Sequence, residues 1–113
     1  MVTIQQTEDN YIFKLSGFHQ IWALKSSVTV PKNNIVRAYQ DREELKKFPG
    51  FRLGTHIPFV ITAGTYFLGG KRNFWDVMVE KNAIIVELKN HIYHKLYIQV
   101  KNQQEALQIL NSK

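Results

Sequence analysis

Residues Pro49 to Trp75, PGFRLGTHIPFVITAGTYFLGGKRNFW, hold five of the six glycines in the chain, set among aromatic, β-branched and basic residues. Glycine weakens helices and supplies the positive φ of sharp turns, while aromatic and β-branched side chains suit a pleated surface. The mixture predicts short strands joined by tight turns. Downstream of Phe51 the strand signals fall at Ile57 to Thr62, Thr65 to Leu68, Phe74 to Val79, Ala83 to Leu88 and Tyr93 to Val100. The breaks between them, Ala63-Gly64, Gly69-Gly70, Lys81-Asn82 and Lys89-Asn90, are residue types that tolerate left-handed turn geometry. In the last strand Leu96, Ile98 and Val100 share one parity and Lys95, Tyr97 and Gln99 the other, which predicts one buried face.

Upstream, Val2 to Thr7 and Tyr11 to Leu15 flank the turn-forming Glu8-Asp9-Asn10 and predict an opening hairpin. Ile21 to Leu24 and Ser26 to Val30 form another apolar, β-branched run that stops at Pro31, and Lys32-Asn33-Asn34 turns the chain into Ile35 to Tyr39. Asp41 precedes Glu44 at capping-box spacing, Leu45 and Phe48 are three apart, and Glu43 can pair with Lys47, so one or two helical turns are expected before Pro49-Gly50 ends them. Asn102 with Glu105 repeats the capping pattern, and Ala106, Ile109 and Leu110 then share one side of a short helix. Its apolar stripe needs a sheet to cover.

Several short strands and one closing helix predict a mainly β fold, an antiparallel barrel or sandwich, in a single domain spanning 1–113. A parallel βαβ fold would need helical crossovers that the pattern lacks. At 44% hydrophobic and 21% charged residues, the composition predicts a compact fold throughout. The chain has no cysteine, which excludes disulfides, thiolate zinc sites, iron–sulfur clusters and cysteine nucleophiles. No apolar run approaches the roughly 20 residues of a transmembrane helix, and the N-terminus lacks a signal-like segment, so a cytoplasmic location is expected. Fifteen Lys and Arg against nine Asp and Glu give a net charge of +6, an excess that favours anionic partners and also keeps a small domain soluble. No run of Lys or Arg exceeds two residues, which disfavours a basic nucleic-acid arm.

Arg52-Leu53-Gly54-Thr55, Gly64-Thr65-Tyr66-Phe67, Lys71 with Phe74-Trp75, Val86-Glu87-Leu88, and Tyr97-Ile98-Gln99-Val100 leading into Glu105-Ala106-Leu107 resemble a bacterial pleckstrin-homology-like (PH-like) domain family of largely unassigned function. The similarity runs from about Ile21 to Leu110 and rests on glycine and hydrophobic placement. It implies a bent antiparallel barrel of seven strands capped by the C-terminal helix. Two positions depart from the family pattern: Pro58-Phe59 stands where a Pro-Gly step is usual, and Lys101-Asn102 where an Asp-Pro is. Eukaryotic namesakes often bind phosphoinositides through basic residues in the first hairpin loop. Here that loop would be Thr7-Glu8-Asp9-Asn10, which is acidic and repels phosphate, so that function does not carry over.

His91 and His94 form an H-x-x-H without further ligands, and in an extended segment their rings would point to opposite faces, so no metal or cofactor is expected. The serines lack nucleophile-elbow surroundings, and the glycines lack phosphate-loop spacing. Glu8-Asp9 and Glu43-Glu44 sit in polar segments expected to be solvated, and no catalytic residues are identified. The best functional candidate is Lys71-Arg72-Asn73-Phe74-Trp75, where a basic pair stands beside aromatics; Trp75 shares parity with Val77 and Val79, which also fits a core position. Arg52, Lys46 and Lys47 would join this patch if the fold gathers them. Tyr39, Tyr66, Tyr93 and Tyr97, if partly exposed, would suit a protein interface. The expected function is a non-enzymatic protein-binding or self-assembly module, a homo-oligomer included. The alternative is an adaptor for an anionic surface, membrane lipid or nucleic acid, contacting it through Lys46, Lys47, Arg52, Lys71, Arg72 and Trp75.

Overall fold

A computed structural model describes residues 2–15, 26–45, 51–57, 61–77 and 82–111. Strands β1 (Val2–Gln6), β2 (Asn10–Leu15) and β3 (Ser27–Pro31) make a three-stranded antiparallel sheet in that order. The β1–β2 turn closes on Thr7, whose Oγ1 accepts the Asn10 N–H at 3.1 Å. A 3-10 turn, Lys32–Asn34, leads into the second sheet, made of β4 (Ile35–Tyr39), β5 (Phe51–Ile57), β6 (Ile61–Leu68), β7 (Lys71–Val77), β8 (Ala83–Leu88) and β9 (Lys95–Gln99). Its spatial order is β4-β8-β9-β7-β6-β5. A short helix α1 (Arg42–Leu45) follows β4, and α2 (Gln103–Asn111) follows β9.

The local elements follow from the residues that nucleate them. Asp41 Oδ1 accepts the N–H of Glu43 and Glu44 at 3.0 and 3.2 Å and so starts α1; Asn102 Oδ1 does the same for the Glu105 N–H at 3.0 Å at the head of α2. Gly69 and Gly70, with φ of +60° and +77°, form the two-residue hairpin between β6 and β7, where the strands diverge by their natural twist only if both turn residues are left-handed. Asn90, at φ +53°, turns the chain out of β8. The expected break at Ala63-Gly64 is absent. Gly64 does adopt a positive φ, +125°, but inside β6, where it pairs with Gly54 on one side and Trp75 on the other, so the strand bends without ending. Ile57 to Thr62 is likewise not one strand, because Ile57 closes β5 and Ile61 opens β6. The Ile21 to Leu24 run, Pro49-Gly50, the Glu43–Lys47 pair, Lys81 and Pro58-Phe59 fall at least in part outside the described residues.

Two corrections concern the sheets. Among the described residues the strands number nine rather than about seven, and they form two open sheets, not a closed barrel. The outer edge of β4 is taken up by α2, whose Asn111 side chain donates to the Ala38 carbonyl and accepts the Ala38 N–H, both at 2.9 Å. An isolated parallel bridge, Val2 to Val100, joins the small sheet to the residue that follows β9. The second correction is directional: β9 lies between β7 and β8, antiparallel to β8 and parallel to β7.

That central place also explains why the last strand hides both faces. One face contributes Leu96 and Ile98 to a core shared with Tyr11, Phe13, Val28 and Val30 of the small sheet, Ile35, Phe74, Ile84 and Val86 of the large one, and Ala106 and Leu110 of α2. The opposite face places Tyr97 with Tyr66, Trp75, Val77, Ile85 and Leu45. Each fully buried side chain of this size contributes about 1.5–3 kcal/mol relative to exposure. A register shift between Ile35 and Arg37 leaves Val36 exposed and turns both Ile35 and Ala38 inward.

Candidate functional site

Parallel pairing of β7 with β9 sets the geometry of one end of the large sheet. Asn73 faces Lys95, and one residue earlier the His94 N–H donates to the Arg72 carbonyl at 2.7 Å. The β6–β7 hairpin and the β8–β9 loop therefore form one rim. It carries exposed Lys71, Arg72 and Lys89 together with two of the three large hydrophobic residues exposed among the described residues, Leu68 (48% exposed) and Ile92 (64%). The rim is held from below. The Leu88 N–H donates to the His94 carbonyl, the Lys89 N–H to the Asn34 carbonyl, and Asn34 Nδ2 to the Asn90 carbonyl at 3.3 Å.

The aromatic rings at this end are engaged. The Arg72 guanidinium stands over Phe67, 5.2 Å from its centroid. Tyr93 is buried and its hydroxyl bonds Thr65 Oγ1 at 2.9 Å. His91 bridges the Thr29 carbonyl, 3.0 Å from Nε2, and the Tyr93 N–H, which donates to Nδ1. His94 lies elsewhere in the loop, and burial together with the positive charges of Lys71 and Lys95 lowers its pKa. The two histidines serve different neighbours, and their segment is a loop, since β9 begins only at Lys95.

Of the residues singled out in the sequence, Lys71 and Arg72 are exposed on the rim. Arg52 sits on β5 opposite Tyr66, in the row next to that of Arg72. Lys46 and Lys47 lie outside the described residues. Trp75 takes the core position that its parity with Val77 and Val79 also fits, rather than a surface contact: it is 4% exposed and stacked on Tyr97 at 3.9 Å between centroids. Three of the four tyrosines are a correction, and only Tyr39 is partly exposed. Tyr66, Tyr93 and Tyr97 are buried and Tyr39 half-buried, because both faces of the six-stranded sheet are covered at these positions.

Glu44 was expected in solvent, and the structure places it elsewhere. Its carboxylate accepts from Tyr39 Oη, Tyr97 Oη and Lys95 Nζ, each at 2.8 Å, and Lys95 Nζ also donates to Tyr39 Oη at 3.1 Å. Burial alone would raise the Glu44 pKa, but the three donors outweigh it and hold it below the ordinary value. Burial would lower that of Lys95, and its bonds to Glu44 and Tyr39 raise it instead. Burial, reinforced by the Glu44 charge, pushes Tyr97 up. The signal available in sequence was only the helix register that sets Glu44 beside Leu45. The cluster fastens α1 to the sheet and leaves its members mutually satisfied.

No group of three or more His, Cys, Asp or Glu among the described residues is arranged to hold a metal ion, and no described helix is long and apolar enough to cross a membrane. No family model, curated protein or solved structure matches the chain.

Proposed function

We propose that the chain is a non-enzymatic binding module, acting in the cytoplasm, that docks an anionic partner through the rim of Leu68, Lys71, Arg72, Lys89 and Ile92. The observation that carries this reading is that three exposed cations and two exposed aliphatic side chains share one end of the sheet on backbone held by hydrogen bonds. Backbone held in this way lowers the ordering cost of binding, and the surface draws anions by its field. The net charge of +6 acts in the same direction. A Lys71→Glu, Arg72→Glu variant tests it: binding to anionic vesicles or oligonucleotides, measured against salt, should fall steeply with ionic strength for the native chain and vanish in the variant. Salt-independent binding, or a variant that binds as well, refutes it.

Self-assembly is the second reading, supported by β5, which pairs only with β6 among the described residues and so offers an edge for strand addition by a second copy. Light scattering at increasing concentration distinguishes a monomer from the oligomer this requires. Membership of the PH-like family is likewise proposed on the glycine and apolar placement from Arg52 to Leu107, and the rim supports the binding reading without it.

A further inference from the structure

We infer that the anionic partner is a lipid bilayer with acidic headgroups, entered by Leu68 and Ile92 while Lys71, Arg72 and Lys89 pair with the phosphates; this rests on the binding reading above. The choice between bilayer and nucleic acid turns on what accompanies the cations. A sequence-tolerant nucleic-acid surface offers aromatic faces on which bases stack. Here Phe67 lies under Arg72, Tyr93 is buried with its hydroxyl bonded to Thr65, and the His91 ring is packed on Tyr93 and fixed to Thr29. What the rim exposes is aliphatic: Leu68 at the head of a tight hairpin and Ile92 at the tip of a hydrogen-bonded loop. Aliphatic tips have nothing to stack on, and at a membrane interface they gain by leaving water.

Charge placement sets which side faces the lipid. Lys71, Arg72 and Lys89 stand on the rim. The carboxylates that act on His94 of the rim loop are paired, Glu87 with Arg37 at 3.3 Å and Glu44 with Lys95 at 2.8 Å, and the acidic Glu8-Asp9 turn joins the Lys32–Asn34 turn, where the Lys32 N–H donates to the Asp9 carbonyl. Asn34, at the other end of that turn, carries the loop of Ile92. An acidic bilayer is therefore met with the β6–β7 tip and the loop of Ile92 together.

The test uses vesicles of phosphatidylcholine with and without phosphatidylglycerol, and separately a single-stranded and a duplex oligonucleotide, all at low and high salt. Because the chain has no cysteine, Ile92→Cys carries one environment-sensitive dye. The expected results are a blue shift of the dye on phosphatidylglycerol vesicles, about fivefold weaker binding for each cation removed, and about tenfold weaker binding for each of Leu68→Ser and Ile92→Ser. The urea midpoint of Ile92→Ser should stay close to that of the native chain, and that of Leu68→Ser, about half covered, should fall only slightly. Undiminished vesicle binding by the serine variants, or an unshifted dye, overturns the bilayer inference. Tighter binding to an oligonucleotide than to vesicles also overturns it while leaving the anionic reading intact. No binding to any of these at low salt sinks both.

Discussion

Replacing Glu44 by alanine removes the acceptor of three hydrogen bonds at 2.8 Å and one half of an ion pair. Lys95 would keep only its 3.1 Å bond to Tyr39, and the Tyr97 hydroxyl, on a side chain 7% exposed, would lose its carboxylate. Breaking a fully buried pair by deleting one partner costs about 3–5 kcal/mol. The side chains of Lys95 and Glu44 are 19% and 16% exposed, so water partly replaces what is lost. That places Glu44→Ala at about 2–4 kcal/mol, against about 1–2 kcal/mol for Glu44→Gln, which keeps an oxygen for the hydroxyls and gives up the charge. The assay is urea unfolding of both variants, of Lys95→Met and of the double variant, followed by far-UV circular dichroism. The coupling between positions 44 and 95 should reach about 1–2 kcal/mol.

The same cluster fixes a pH profile. The Glu44 pKa is lowered in the fold, so its contribution is present above the unfolded value of 4.5 and is lost as pH falls through the folded one. That of Lys95 is raised, so its contribution is complete below 10.5 and is lost as pH rises through the folded value. Glu44→Gln should flatten the acid limb of stability below pH 4.5. A Glu44→Ala loss under about 0.5 kcal/mol with no coupling to Lys95 refutes the claim that this carboxylate fastens α1.

Three further outcomes are expected. Asn111→Ala should cost about 1–2 kcal/mol in urea unfolding, because the Ala38 N–H and carbonyl on the edge of β4 lose both partners. Gly69→Ala and Gly70→Ala should each cost about 1–2 kcal/mol from backbone strain alone, as a Cβ at either site meets nothing within 4 Å; Gly70→Asn should cost less, which thermal melts would show. His94→Gln should weaken the loss of stability on acidification. Burial lowers the His94 pKa below the unfolded value of 6.5, so the unfolded chain binds a proton more readily, and stability rises with pH toward 6.5 in the native chain and less so in the variant.

Local structure was legible where one residue type has one physical use. Asp41 and Asn102 as caps, Gly69-Gly70 as a hairpin and Asn90 as a left-handed turn are all read from short-range chemistry. The mainly β class and the helix after β9 follow from the same signals. Which strand neighbours which is not written in periodicity. The partner of Asn73 to Asp76 is Lys95 to Ile98, with the whole of β8 intervening in sequence. Tyr97 and Gln99 alternate with Leu96 and Ile98 and read as a wet face, yet both are buried because strands flank β9 on either side and Trp75 covers Tyr97. The rim was half legible: Lys71 and Arg72 stood out as a basic pair, whereas Ile92 became significant only when the loop carrying it was found beside them.

The position of β9 governs the order in which the molecule can be assembled. As the polypeptide leaves the ribosome, β7 and β8 emerge first, yet in the finished sheet a vacancy one strand wide must separate them. Until residues 95–99 are released, both strands present raw edges toward that gap, open to pairing with each other or with neighbouring chains. The large sheet is thus incomplete until β9 has been made, and deleting residues 95–111 would remove its central strand together with the helix over its β4 edge.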